Sequence, residues 1–89
     1  MKITFDPIKN ETNLVKHGMS LADAVHIDWE TLWAIQDTRQ DYGEIRMIGY
    51  ALIKTRLYNV IFTDKVNERR IISLRKANKR EVQNYATNC

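Results

Sequence analysis

The 89-residue sequence has one cysteine, one proline and three glycines, and no apolar run longer than a few residues. With Cys89 as the sole cysteine, no internal disulfide can close, and no Cys/His spacing suggests zinc. The absence of a long apolar stretch excludes a helical membrane span. The opening Met1-Lys2-Ile3-Thr4-Phe5 lacks the apolar centre and small-residue cleavage site of a secretory signal, so the chain reads as cytoplasmic. Internal repeats and low-complexity segments are also missing. What remains is one domain over residues 1–89. A chain of this size buries only about 60 to 65% of its unfolded surface, so one helix layer on one sheet is the expected scale.

The charge is unevenly placed. Residues 65–80 hold Lys65, Arg69, Arg70, Arg75, Lys76, Lys79 and Arg80 against the single acid Glu68. The rest of the chain has seven basic and ten acidic residues, a net −3. Concentrated positive charge of this kind attracts a polyanion such as RNA, DNA or an acidic protein segment, although a merely solvated face has the same composition.

Hydrophobic patterning predicts a short strand from Lys2 to Phe5, stopped by Asp6-Pro7. Asp6 is a good N-cap and Pro7 suits the first helical position, so a helix is expected over Ile8 to His17, ended by Gly18 in a left-handed turn. Lys16 and His17 fall in its last turn, where the helix dipole favours positive charge. Ser20 with Asp23 forms a variant capping box for a second short helix. From residue 29 the period changes, giving strands near Thr31 to Asp37, Arg46 to Lys54, Leu57 to Thr63 and Arg69 to Leu74; the last three form an antiparallel meander. Asn78 and Glu81 make a capping box for a last helix through Val82 and Tyr85. Lys79 and Arg80 lie in its first turn, where the dipole disfavours cations, which hints at an anionic partner.

Several motifs in order resemble the BrnT family of toxins from bacterial BrnT/BrnA toxin-antitoxin systems, compact relatives of the RelE-like ribonucleases. They are Phe5-Asp6-Pro7 with Lys9 and Asn13; Lys16-His17-Gly18; Gly43-Glu44-x-Arg46-x-x-Gly49; Arg70-Ile71-Ile72-Ser73-x-Arg75-x-Ala77; and Lys79-Arg80-Glu81 with Tyr85. Leu74 stands where a small residue is more usual in the family. The resemblance implies an α+β fold: a RelE-like antiparallel sheet in the order β-α-α-β-β-β-β-α, with two N-terminal helices and one C-terminal helix. It implies a translation-inhibiting RNA endonuclease that needs no metal or other cofactor. It also implies a BrnA-like ribbon-helix-helix antitoxin in a 2:2 complex, with operator DNA bound only through that antitoxin.

RNA supplies its own nucleophile, the 2′-hydroxyl. A metal-free ribonuclease therefore needs a proton acceptor, positive charge at the phosphate and a proton donor for the 5′-oxygen. Arginine presents a permanent charge in a fork that fits phosphate oxygens, so Arg75, then Arg70, then Arg46 are the candidates for stabilising the transition state. His17 and Glu44 are the candidate proton acceptors, and spacing alone does not pair an acid with a base. Lys79, Arg80, Lys16 and Lys76 are candidates for holding RNA by charge. Strand parity predicts that Ser73 and Arg75 share an open face while Arg70, Ile72 and Leu74 point the other way, unless the strand bends. A non-catalytic nucleic-acid-binding or antitoxin-binding module would carry the same basic segment.

Overall fold

The computed structural model describes residues 1–88; Cys89 lies outside the described residues. Strand β1 (Lys2–Phe5) leads into helix α1 (Pro7–His17) and a 3-10 helix (Leu21–His26). Strands β2 (Asp28–Gln36), β3 (Met47–Ile53), β4 (Arg56–Lys65) and β5 (Glu68–Lys76) follow, and helix α2 (Lys79–Asn88) comes last. The sheet order is β1-β5-β4-β3-β2.

The caps that the sequence predicts are formed. Asp6 accepts the Ile8 amide at 2.8 Å, and Gly18 at φ 68° donates its own amide to Leu14. Asn78 and Glu81 bond reciprocally, each backbone amide to the other side chain at 2.9 Å. The second helix is capped by Ser20 as expected, but it is a 3-10 helix rather than an α-helix. Its six residues bridge directly into β2, and bonds such as Ile27 N–H to Ala24 carbonyl close the tighter turn.

The meander is longer than the sequence suggests: β2, β3, β4 and β5 are all antiparallel neighbours. Two-residue turns at Lys54-Thr55 and Val66-Asn67 join the last three, with Lys54 and Asn67 at positive φ. The sheet as a whole is mixed and not purely antiparallel, because β1 pairs parallel to β5 from Lys2↔Glu68 to Phe5↔Ile71. No hairpin fixes the direction of β1, since two helical segments separate it from the meander.

One sheet face is packed. Ala51, Val60, Phe62, Ile71 and Leu74 from the strands meet Leu21, Ala24 and Ile27, with Ile3, Phe5, Trp29 and Leu32 around them. Phe62 stands edge-on to Trp29 at 5.8 Å. Gly49 lets the sheet and β2 side chains come close: a Cβ would lie 2.6 Å from Leu32 Cδ1, so that side chain would have to shift. Helix α1 runs beside β5 in the same direction. Asp6 and Lys9 lie near Ile71 and Ile72, and Asn13 lies farther on at Leu74. The Asn13 amide accepts the Leu74 N–H at 3.1 Å and donates to the Leu74 carbonyl at 2.8 Å. It thus closes the part of the β5 edge that the four-residue β1 does not reach.

The sheet contains two irregularities, and both change parity. Between the pairs Asp28↔Leu52 and Trp33↔Tyr50, β2 advances five residues while β3 advances two. Trp29 and Leu32 can therefore both pack on the core. In β5 the pairing passes from Ile61↔Ser73 to Phe62↔Ile71, so Ile72 is an extra residue in a β-bulge.

Candidate functional site

The bulge overturns the simple parity argument. Arg70 pairs with Thr63 and Arg75 with Asn59, and both pair positions belong to the face opposite Val60 and Phe62. Arg70, Ser73 and Arg75 thus share the open face, and the side expected for Ser73 and Arg75 is the observed one. A flat strand would have sent Arg70 into the core side with Leu74. The register lays out three transverse rows on this face. One row is Trp33, Tyr50, Asn59 and Arg75; the next is Ile35, Ile48, Ile61 and Ser73; the third includes Thr63, Arg70 and Thr4. Two residues of strand rise separate neighbouring rows, so Arg70 and Arg75 stand roughly 13 Å apart along β5.

At the Arg70 end, the guanidinium donates from Nη2 to both oxygens of Glu44, at 2.7 and 2.8 Å. Arg46 reaches the same carboxylate at 3.6 Å and lies 4.0 Å above the Tyr42 ring. The Arg46 Nε is shielded from solvent and bonds to no protein acceptor. Asp6, Lys9, Arg46, Arg70, Ile71 and Ile72 line a cleft of about 170 Å³.

The loop carrying Glu44 is tied down by buried Asp37. It accepts the Arg39 backbone amide at 3.1 Å, the Arg39 guanidinium at 2.9 and 2.8 Å, and the Tyr42 hydroxyl at 2.9 Å. The hydrogen bonds from Arg39 hold the Asp37 carboxyl far below the usual carboxylate range, although burial opposes the shift. Burial likewise pushes Glu44 upward, but the hydrogen bonds and charge of Arg70, with the charges of Arg46 and Lys65, bring it below its ordinary value. Glu44 is therefore ionised at neutral pH, between two guanidinium groups.

Arg75 forms a second cluster with a different partner. Its guanidinium grips both oxygens of Glu81 at 2.8 Å, and the Tyr50 hydroxyl donates to the same carboxylate at 2.9 Å. These bonds, led by those from Arg75, pull the Glu81 carboxyl down to about 2. Burial and the facing carboxylate raise Tyr50, and Glu81 raises Arg75. Trp33 stacks beside Tyr50 with ring centroids 6.2 Å apart.

The structure therefore brings Arg46, Arg70 and Glu44 together and sets Arg75 apart on the same face. His17 and Lys16 are exposed at the far end of α1; His17 is eight residues from Lys9, roughly 12 Å along the helix axis. Because α1 runs with β5, they emerge toward the Lys76 end of the strand and away from Glu44. Lys76 pairs with Tyr58 and so leaves β5 on the side opposite Arg75. Lys79 and Arg80 are exposed in the first turn of α2.

Three contributors escaped sequence reasoning. Lys9 lies in the first turn of α1, which has no acidic residue, so the dipole argument used for Lys79 and Arg80 applies to it equally. Tyr42 and Tyr50 had no local signal, since only the tertiary fold places them against Arg46 and Glu81.

A four-stranded meander packed on one side, with an open face that sets arginines around single carboxylates, defines a small α+β domain with a charged sheet face. The family model described as "Ribonuclease toxin, BrnT, of type II toxin-antitoxin system" matches residues 5–81. The chain belongs to this BrnT family of ribonuclease toxins. Among solved structures, it is similar to the crystal structure of the Brucella abortus ribonuclease toxin BrnT, with 26% identity and a TM-score of 0.68 over 89% of this chain and 99% of that one. No curated protein matches the chain at a significant level.

Proposed function

We propose that the chain is a single-domain, metal-independent RNA endonuclease that cleaves at the Glu44–Arg46–Arg70 cleft. The observation that carries this reading is that Arg46 and Arg70 share the ionised Glu44 carboxylate on the open sheet face, beside a cleft that Lys9 also lines. A phosphodiester in the cleft meets two guanidinium forks, which stabilise the charge that builds on the non-bridging oxygens. Glu44 accepts the 2′-hydroxyl proton as that oxygen attacks phosphorus. The bond to the 5′-oxygen breaks, and Lys9 supplies the proton this leaving group needs. The products end in a 2′,3′-cyclic phosphate and a 5′-hydroxyl. Lys16, His17, Lys76, Lys79 and Arg80, all exposed, hold flanking phosphates by charge.

Membership of the family supports the biological reading that goes with this chemistry. RNA cleavage in the cytoplasm inhibits translation, and a BrnA-like ribbon-helix-helix antitoxin neutralises the toxin in a 2:2 complex and alone carries the operator contacts.

The test is incubation of the purified chain with RNA in excess chelator. The expected product is RNA with cyclic-phosphate ends. Glu44→Gln should lower the rate by about 10²- to 10⁴-fold, the usual share of a positioned proton acceptor. Activity that appears only on adding a divalent metal, or that survives in Glu44→Gln, would sink the mechanism.

A further inference from the structure

We infer that Arg75, Tyr50 and the start of α2 form a second phosphate subsite, which the chain's own Glu81 fills in place of an RNA phosphate. The inference rests on the ribonuclease reading above and adds to it a site with a built-in competitor.

Three observations carry it. First, the Glu81 carboxylate is held as a bound anion would be. It takes a two-pronged guanidinium contact, a tyrosine hydroxyl and the Asn78 backbone amide, all within 2.9 Å. A phosphate offers the same acceptor geometry to an arginine fork. Second, the helix that brings Glu81 there is weakly seated. Helix α2 has no buried residue, and its Val82 is 46% exposed. Among the described residues, its other polar tie to the sheet is the Tyr85 hydroxyl on the Thr31 carbonyl. Third, the surroundings suit RNA. Arg75 shares a row with Asn59, Tyr50 and Trp33, and the stacked aromatic pair offers a base a platform beside the phosphate position. The same face leads on to the Arg70 cleft, so one single strand can span both clusters.

Glu81 has a second task, which makes a clean test possible. It closes the capping box of α2, and glutamine serves that role as well as glutamate does. Glu81→Gln therefore keeps the cap and removes the competing charge.

The probe is a short fluorescent single-stranded RNA with 2′-O-methyl groups throughout, which cannot be cut. Its binding is followed by anisotropy at one fixed salt concentration. Glu81→Gln should bind roughly tenfold more tightly than the unaltered chain, the worth of one freed charge-assisted contact. Glu11→Gln, which removes an exposed acid from α1, measures the effect of net charge alone. In Arg75→Ala/Glu81→Gln the gain should vanish, because it must pass through Arg75. Tyr85→Phe removes the helix's bond to the Thr31 carbonyl, which loosens Glu81 without touching the cap or the subsite, and should give a smaller gain, so the inference stays testable should Glu81→Gln unfold.

A gain no larger than that of Glu11→Gln, or one that persists without Arg75, overturns the subsite. Cleavage of unmodified RNA is measured alongside. If no variant cuts RNA yet the Arg75-dependent gain is present, the ribonuclease reading fails and the subsite stands. If the unaltered chain cuts but the gain is absent, the reverse holds.

Discussion

Arg69 and Arg70 are neighbours in sequence on opposite faces of the sheet, and they show what each face is for. Arg69 clamps Asp64 at 2.7 and 2.9 Å and lies 4.6 Å over Trp29 and 4.3 Å over Phe62. Its charge is fully engaged in closing the core. Arg70 binds Glu44 in a cleft open to a ligand, beside a second guanidinium that the same carboxylate reaches less closely. Identical side chains thus act as a roof on one face and as one of two partners of a shared carboxylate on the other. The difference lies in what surrounds them, aromatic rings in one case and like charge in the other.

Substitutions can break this contrast. The largest effect is expected on the packed face, where Phe62→Ala removes a side chain that is 2% exposed, along with the seat of Arg69. Unfolding in urea should show a loss of about 3 to 5 kcal/mol. Arg70→Ala should reduce RNA cleavage by about 10²- to 10³-fold, as loss of a transition-state donor does. Its urea midpoint should fall by much less than that of Phe62→Ala, since only the partly exposed Glu44 ion pair is lost. A collapse of the fold in this variant would erase the distinction between the faces.

Asn13→Ala strips the partners from two backbone groups of Leu74, each costing about 1 to 3 kcal/mol when buried and unpaired. Thermal unfolding should report the loss. Arg69→Ala gives the smallest change, about 1 to 2 kcal/mol of stability from lost ring contacts and an ion pair, with cleavage unchanged.

Acid should sharpen the comparison. Asp37, Glu44 and Glu81 all bind protons less readily in the folded chain than in the unfolded one. Their depressed values stabilise the fold above the ordinary carboxylate range, near pH 4, and that contribution is lost as pH falls through the folded values. All three belong to the open face or the loop that serves it. Urea midpoints should therefore hold from pH 8 to 6 and decline from about pH 5 to 3. A profile that stays flat into that acid range would mean that these ion pairs contribute nothing to the folded state.

Local chemistry made much of this architecture readable in the sequence. Asp6-Pro7, Gly18, Ser20 and the Asn78–Glu81 box each act within a few residues, so the caps follow from spacing, as does the meander of the last three strands. Arg46, Arg70 and Glu44 were accessible as a set only through the family motifs. Their convergence depends on the bulge at Ile72, and an inserted residue leaves no signature in a run as uniformly apolar as Ile71-Ile72. The Glu81 side chain was legible as a cap, but its hold on Arg75 and Tyr50 was not, since those bonds need α2 to fold back over β3 and β5. The parallel pairing of β1 was hidden for a similar reason, because the partner strand lies more than sixty residues away.

The Asn13 amide behaves as a borrowed peptide group, offering one donor and one acceptor where a neighbouring strand would. A foreign strand approaching from that side meets four residues of β1 and then a helix that has already taken the next positions. Growth of the sheet by an added chain is thereby steered to β2, at the opposite margin, where Trp33 and Ile35 already turn toward the open face.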